Sequence, residues 1–191
     1  MNFGGSRSDT RSCCLLSALT TLTMLLALTT PATPCLAPFF SYGGSCFYLH
    51  NVTATLKGHT YADSRTVCRN FGGDLAKIDS RNVSRLVEGL FADVWVSKYQ
   101  SYWIGLDDLT TEGSFRWTGD DRSELSGKSF TNWRNVTLEK SGSGRCVRLT
   151  VNGTWVRSRC ELLFGFVFIL QEWLFQDIHL FQNTWADHLR Q

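Results

Sequence analysis

The densest chemistry in this 191-residue chain is a run of cations. Between Lys128 and Cys160 stand Lys128, Arg134, Lys140, Arg145, Arg148, Arg157 and Arg159, with Glu139 the sole carboxylate. Guanidinium forks grip carboxylate, sulfate and phosphate oxygens in a planar, two-pronged way, and an indole beside them offers an aromatic wall. Trp133, Arg134, Arg145, Trp155 and Arg157 are therefore the candidate ligand-binding residues, with an acidic glycan as the matching ligand. A second use of the same charges stays open. Asp107, Asp108, Glu112, Asp120, Asp121 and Glu124 crowd the preceding segment, and the arginines can simply pair with them.

Catalysis has no comparable support. His50, His59, His179 and His188 belong to no nucleophile or metal motif, and the chain carries no Gly-x-Ser-x-Gly, no His-Glu-x-x-His and no phosphate-cradling glycine loop. A formal net charge of +2 argues against nucleic acid and against general attraction to a membrane. With 43% hydrophobic and 13% aromatic residues, the chain can bury the core of one domain. The expectation is a non-enzymatic recognition module for a glycan or an extracellular protein.

The elements that must position these residues begin with an export signal. Arg7 and Arg11 precede an uncharged stretch from Cys13 to Leu28, and a helix-breaking, small-residue run from Thr29 to Ala37 follows. Residues 1–37 read as a signal peptide cut after Ala32 or Ala37, which makes the protein secreted. The alternative is an uncleaved signal anchor in a type II membrane protein, the one way in which a membrane would be involved. Four sequons at Asn51, Asn82, Asn135 and Asn152 are candidate N-glycosylation sites in an exported chain. Cys35, Cys46, Cys68, Cys146 and Cys160 lack the paired spacing of zinc sites, so disulfides are the better reading.

Short apolar pieces around Gly43-Gly44 suit a small hairpin closed by Cys35 and Cys46. A helix over Ala62 to Phe71 should stop at Gly72-Gly73. A second should follow Ser80, with Val83, Leu86, Val87, Leu90 and Phe91 on one face and Asn82 and Arg85 on the other. Tyr102 to Leu106 and Phe115 to Trp117 read as strands, and Ser123 to Gly144 as a long loop without apolar period. Cys146 to Cys160 is two alternating runs joined at Asn152-Gly153, the favoured two-residue turn. That hairpin makes Cys146 and Cys160 near neighbours and hence a disulfide pair. The class is α+β.

These stretches resemble the C-type lectin-like domain in content and order. The matching pieces are Cys46-Phe47-Tyr48, the run from Cys68 to Ile78, Trp103 to Leu106, Gly113 to Trp117, Ser129 to Trp133, Cys146-Val147, Asn152 to Trp155, Cys160-Glu161 and Gly165 to Val167. The resemblance implies a C-type lectin-like fold over residues 38–169, with two helices packed on small antiparallel sheets, a long loop region and disulfide staples. It also implies a sugar site in which the long loop holds calcium. Calcium-binding members carry a Glu-Pro-Asn or Gln-Pro-Asp triplet with a cis proline there, and Asn-Asp after the hairpin Trp, because calcium needs several oxygen ligands. Here Pro31, Pro34 and Pro38 all precede the core, Val156 and Arg157 follow Trp155, and Arg145 precedes Cys146. Only Glu139 is a candidate relic of the loop carboxylate. No cofactor is expected, and binding should be calcium-independent. In this fold the two tryptophans also have a core role as the competing reading.

The resemblance further implies that a cysteine at the end of the first helix bridges to the last strand. Cys68 fits the first position, but Phe168 stands where its partner would be. Cys68 is thus the unpaired cysteine, open to an intermolecular disulfide and a linked dimer. The absent bridge would be worth about 2–5 kcal/mol. Residues 170–191 form an atypical tail with Leu174, Ile178, Phe181, Trp185 and Leu189 at helical spacing, an expected amphipathic helix or an altered splice or gene-model end. A rival function follows from it, in which the variant tail makes protein contacts and no sugar is bound.

Overall fold

The structure is a computed structural model describing residues 35, 37–53, 57–93, 100–119, 122–134 and 144–171. Helix α1 (Tyr61–Asn70) starts one residue before the expected Ala62 because Thr60 caps it. The Thr60 hydroxyl accepts from the Asp63 N–H at 3.1 Å and donates to the Asp63 carboxylate at 2.7 Å. The helix ends where the glycine pair predicts. Gly72 takes a φ of +79°, and the Gly73 N–H returns to the Cys68 carbonyl at 3.1 Å. Helix α2 (Arg81–Asp93) follows Ser80, whose hydroxyl accepts from the Val83 N–H at 3.3 Å. Val87, Leu90 and Phe91 are buried, and Asn82 and Arg85 are exposed, as the periodicity predicts.

The strands are β1 (Phe40–Tyr42), β2 (Ser45–His50), β3 (Asp74–Leu75), β4 (Ser101–Asp107), β5 (Arg116–Trp117), β6 (Cys146–Thr150), β7 (Trp155–Ser158) and β8 (Gly165–Gln171). Their order is β1-β2-β8-β4-β6-β7, with β3 on β8 and β5 on β4. Where small antiparallel sheets are expected, the strands join into one mixed sheet, because β8 runs antiparallel to β2 but parallel to β4. Alternation along these central strands feeds two cores. Tyr102, Ile104, Leu106 and Val167 face the core under α2, whereas Trp103, Phe166 and Phe168 face the core under α1. Gly165 opens β8 at a point of close approach. A Cβ there would lie 2.3 Å from the His50 carbonyl oxygen and 2.6 Å from the Tyr102 ring.

The hairpin between β6 and β7 departs from the expected two-residue turn. Leu149 pairs with Trp155 and Cys146 with Ser158. The Gly153 N–H bonds the Thr150 carbonyl at 2.9 Å, and the Thr150 N–H bonds the Thr154 carbonyl at 2.9 Å. The loop is thus the three residues Val151, Asn152 and Gly153, with Gly153 in the left-handed region at φ +74°. The added residue sets Trp155 opposite Leu149, so that both point into the core, and this burial selects the register. Both expected disulfides form: Cys35 to Cys46 with a Cα separation of 5.7 Å, and Cys146 to Cys160 with 5.3 Å.

Cys68 is unpaired, as expected, but the linked dimer does not follow from it. The residue is 0% exposed, so its sulfur cannot meet another chain while the domain is folded. Burial first, and the Asp74 carboxylate second, push its thiol well above the usual range, which also suppresses the reactive thiolate. Phe168 is fully buried and sits edge-on to Phe39 at 5.9 Å. A Cβ on Gly73 would fall 2.3 Å from its ring, so the glycine after α1 makes room for the aromatic. Packing of that ring ties β8 to the α1 core where a bridge is absent. Among the described residues no helix is long and apolar enough to cross a membrane. Most of the expected export segment (residues 1–34 and 36), Asn135, Glu139 and the tail from 172 lie outside the described residues.

Asp74 supplies a charged tie between α1 and β3. Its carboxylate accepts from Arg65 at 3.0 and 2.9 Å, from Arg69 at 3.3 Å and from the Leu75 N–H at 2.8 Å. Burial alone would lift its pKa, but the Arg65 fork, the Leu75 N–H and the Arg69 charge outweigh it and hold the carboxyl below its ordinary 3.8. A depressed folded pKa means stability that is present above the unfolded value and lost as pH falls through the folded one. Asp74→Asn should therefore cost about 1.5–3 kcal/mol at pH 7. In urea titrations its deficit against the natural protein should shrink once the pH drops below 3.8. Phe168→Ala should cost about 3–5 kcal/mol in the same titrations, as much as the bridge it stands in for; a loss under 1 kcal/mol would refute that role.

Candidate functional site

The first site is built where β4 ends. Asp107 closes the strand, Asp108 follows it, and both are 1% exposed. The Asp107 carboxylate accepts from the Tyr61 hydroxyl at 3.0 Å and the Leu109 N–H at 3.2 Å, and pairs with Arg122 at 3.5 Å. Burial, and then the Asp107 charge, push the Tyr61 phenol well above its ordinary value. Asp108 accepts from the Gly113 N–H at 2.7 Å and from the Arg157 guanidinium at 3.2 Å, and Arg145 lies 3.6 Å from its other oxygen. Arg145 also donates to the Asp108 carbonyl, while the Asp108 N–H bonds the Arg145 carbonyl at 3.0 Å. Arg157 reaches the Gly144 carbonyl at 3.0 Å and stacks 5.2 Å above the Phe115 ring. One buried carboxylate thus gathers two arginines and the Gly113 N–H beside the Gly144 end of the long loop.

The long loop is less polar in its packing than its composition suggests. Leu125, Phe130 and Trp133 pack against the core under α2. Residues 132–134 run beside β7, with the Trp155 N–H on the Asn132 carbonyl at 2.8 Å and the Arg134 N–H on the Trp155 carbonyl at 3.0 Å. The ring of Trp155 meets Trp117 at 5.5 Å, Trp133 at 5.4 Å and Phe130 at 5.9 Å. Trp133 also meets Phe115 at 5.1 Å. Such edge-to-face contacts glue the loop onto the sheet.

The five candidate residues therefore divide. Trp155 is 0% exposed and belongs to the core, so the competing reading of that tryptophan holds. Arg157 is 8% exposed and satisfied by Asp108. Arg145 is half-exposed but shares the same carboxylate. Trp133 is half-buried and Arg134 exposed. The notable miss is Arg148. It bonds Ser158 Oγ at 2.7 Å and Ser101 Oγ at 2.5 Å and lies 5.3 Å over the Phe164 ring. Its place in the alternating run beside Val147 and Leu149, both core residues, marked it as outward-facing.

A profile of the family described as Lectin C-type domain matches residues 57–167. The chain belongs to the C-type lectin family. Over 122 residues it is 29% identical to C-type lectin domain family 4 member M of Hylobates lar, which is 63% of this chain and 27% of that protein. The chain thus spans about a quarter of that relative's length. It is 26% identical over 134 residues to the alpha-N-acetylgalactosamine-specific lectin of Patiria pectinifera, 66% of this chain and 74% of that one. Human lithostathine superposes with a TM-score of 0.63 at 23% identity, covering 75% of this chain and 95% of that one.

In this C-type lectin domain the positions after the hairpin tryptophan carry Val156 and Arg157, neither of which has a side-chain oxygen to give a metal. The carboxylates nearest to them are already engaged by cations. Removing Arg157 should therefore expose a structural dependence. Arg157→Ala strands the Asp108 charge in the interior and should cost about 3–5 kcal/mol in urea unfolding, whereas Arg134→Ala, at an exposed position, should stay within about 0.5 kcal/mol. Equal effects would mean that the Asp108 pair is not holding the loop.

Proposed function

We propose that this is an extracellular, non-catalytic C-type lectin domain, exported by residues 1–37, that binds a carbohydrate or protein ligand without calcium. The observation that carries the reading is the buried Asp108 clamped by Arg157 and Arg145. Calcium needs six to eight oxygens drawn largely from carboxylates and amides. Around Asp108 the corresponding space is filled by two guanidinium groups, and a third, Arg122, holds Asp107. The residues present do not fit the ion, because a divalent cation would have to enter against fixed positive charges with few donors to receive it. The guanidiniums and Asp108 together do the organising work of a metal, Arg157 holding the Gly144 carbonyl, Arg145 the Asp108 carbonyl and the Asp108 carboxylate the Gly113 N–H.

A carbohydrate ligand is supported by the relatives, among them the alpha-N-acetylgalactosamine-specific lectin of Patiria pectinifera. The accessible part of the candidate set is Trp133 and Arg134, on the surface that the long loop presents. Of the sequons, Asn82 and Asn152 are exposed and suit glycan attachment. Asn51 is half-buried and accepts from the Tyr102 hydroxyl at 2.9 Å, which disfavours it. The test is a glycan array and protein-ligand screen on the purified chain in calcium and in chelator. Binding should be equal in the two buffers, and its loss in chelator would overturn the calcium-free reading.

A further inference from the structure

Trp133 bridges to Trp155 in parallel fashion, and Arg148 pairs with Val156 across the hairpin. Side-chain alternation then puts Arg134, Val156 and Arg148 on one face of three adjacent strands, opposite to the face carrying Trp155, Leu149 and Arg157. Strand spacing sets the Arg134 and Arg148 backbones about 9.5 Å apart. Between them and the hairpin tip lies a hollow of about 330 Å³, lined by both arginines together with Ser101, Thr150, Asn152 and Thr154, among others. Among the described residues no carboxylate is in its lining. The nearest acid in contact with the hairpin tip is Glu88, which abuts Gly153 and accepts from Ser84 Oγ at 2.8 Å.

We infer that this hollow is an oxyanion-binding subsite for the sulfate or carboxylate of an acidic glycan. Arg148 is held in place by Ser101, Ser158 and the Phe164 ring, so its charge is fixed rather than free to follow solvent. Arg134 is exposed and rooted through its own N–H to the Trp155 carbonyl. A ligand oxyanion between them meets one rigid and one mobile guanidinium plus the hydroxyls of Thr150 and Thr154, which bond each other at 2.8 Å. Arg145 and Arg157 do not line the hollow, and Arg157 faces the other way, toward Asp108. The subsite deepens the calcium-free recognition reading and rests on it. Asn152, a sequon asparagine, stands on the rim, so a glycan attached there would cover the hollow.

Retention on immobilised heparin and on immobilised sialyllactose tests this. The full chain carries Asn152→Gln to keep the rim clear, and Arg134→Ala and Arg159→Ala are each added to that form. Arg159 is an exposed arginine paired with Glu161 at 3.6 Å and serves as the charge-matched control. The expectation is retention on at least one matrix, weakened about tenfold by Arg134→Ala and less than about twofold by Arg159→Ala. Heparin alone would assign a sulfate, and sialyllactose alone a carboxylate. Equal losses in the two variants, or no retention on either matrix, would overturn the subsite. Calcium-insensitive binding of a neutral glycan or a protein would leave the wider reading intact in that event, and chelator-sensitive binding would remove both.

Discussion

Everything in this domain depends on seating the last strand between two earlier ones. β8 lies between β2 and β4, antiparallel to one and parallel to the other, and is buried on both faces over most of its length. Parallel pairing requires a long crossover, and here the crossover from β4 to β8 takes in the long loop and the β6–β7 hairpin. The contacts that reward it are therefore formed late and at high loop-closure cost. Gly165 admits the strand, Phe166 and Phe168 fill one core, and Val167 fills the other. The first and last parts of the domain are zipped together by this strand, so side-chain packing along it substitutes for a covalent tie. That explains how Cys68 stands alone without leaving a gap.

The second dependence is electrostatic and local. A buried carboxylate is tolerable only when its charge is met and its oxygens are bonded. For Asp108 the charge is met by Arg157 and Arg145, and one carboxylate oxygen is bonded by Arg157 and the Gly113 N–H while the other has only the Arg145 charge 3.6 Å away. The result is a knot at the root of the long loop, reinforced by the aromatic contacts of Phe115, Phe130 and Trp133. Tyr61, Asp107 and Arg122 extend it toward α1. The described part of the loop, up to Arg134, is thereby tied to the inside of the domain.

Much of the architecture was legible because its signals are local. Helix caps, glycine stops, alternation in YWIGL and the cysteine-bounded hairpin each act within a few residues. The parallel pairing of β8 with β4 was not, since periodicity says which face a residue takes but not which neighbour a strand chooses. The hairpin register escaped for a related reason. Asn-Gly favours the shortest turn locally, yet burial of Trp155 against Leu149 rewards the longer one. For the site, composition showed segregated charge but not its pairing. Arg157 and Arg134 look alike in sequence, and only the alternation of β7 against the loop separates the buried one from the exposed one. The linked dimer expected from Cys68 failed on burial, which an odd cysteine count does not report.

In the proposed reading, exchanging a metal for tethered cations alters what can regulate the domain. A bound ion contributes order that scales with the logarithm of its concentration. A guanidinium carried on β7 has no such dependence, because its effective concentration is set by the fold. The loop is then preorganised at all ion levels, and less of the binding energy is diverted to ordering it. The cost falls on chemistry. A metal offers open coordination positions that select vicinal hydroxyls, whereas a guanidinium such as that of the buried Arg157 offers none. Selectivity must move to groups outside the knot, and on this sheet those groups are guanidinium and hydroxyl donors with no carboxylate among the described residues lining the hollow. Such a surface discriminates by ligand charge rather than by hydroxyl stereochemistry, which makes acidic rather than neutral sugars the ligands it is built to separate.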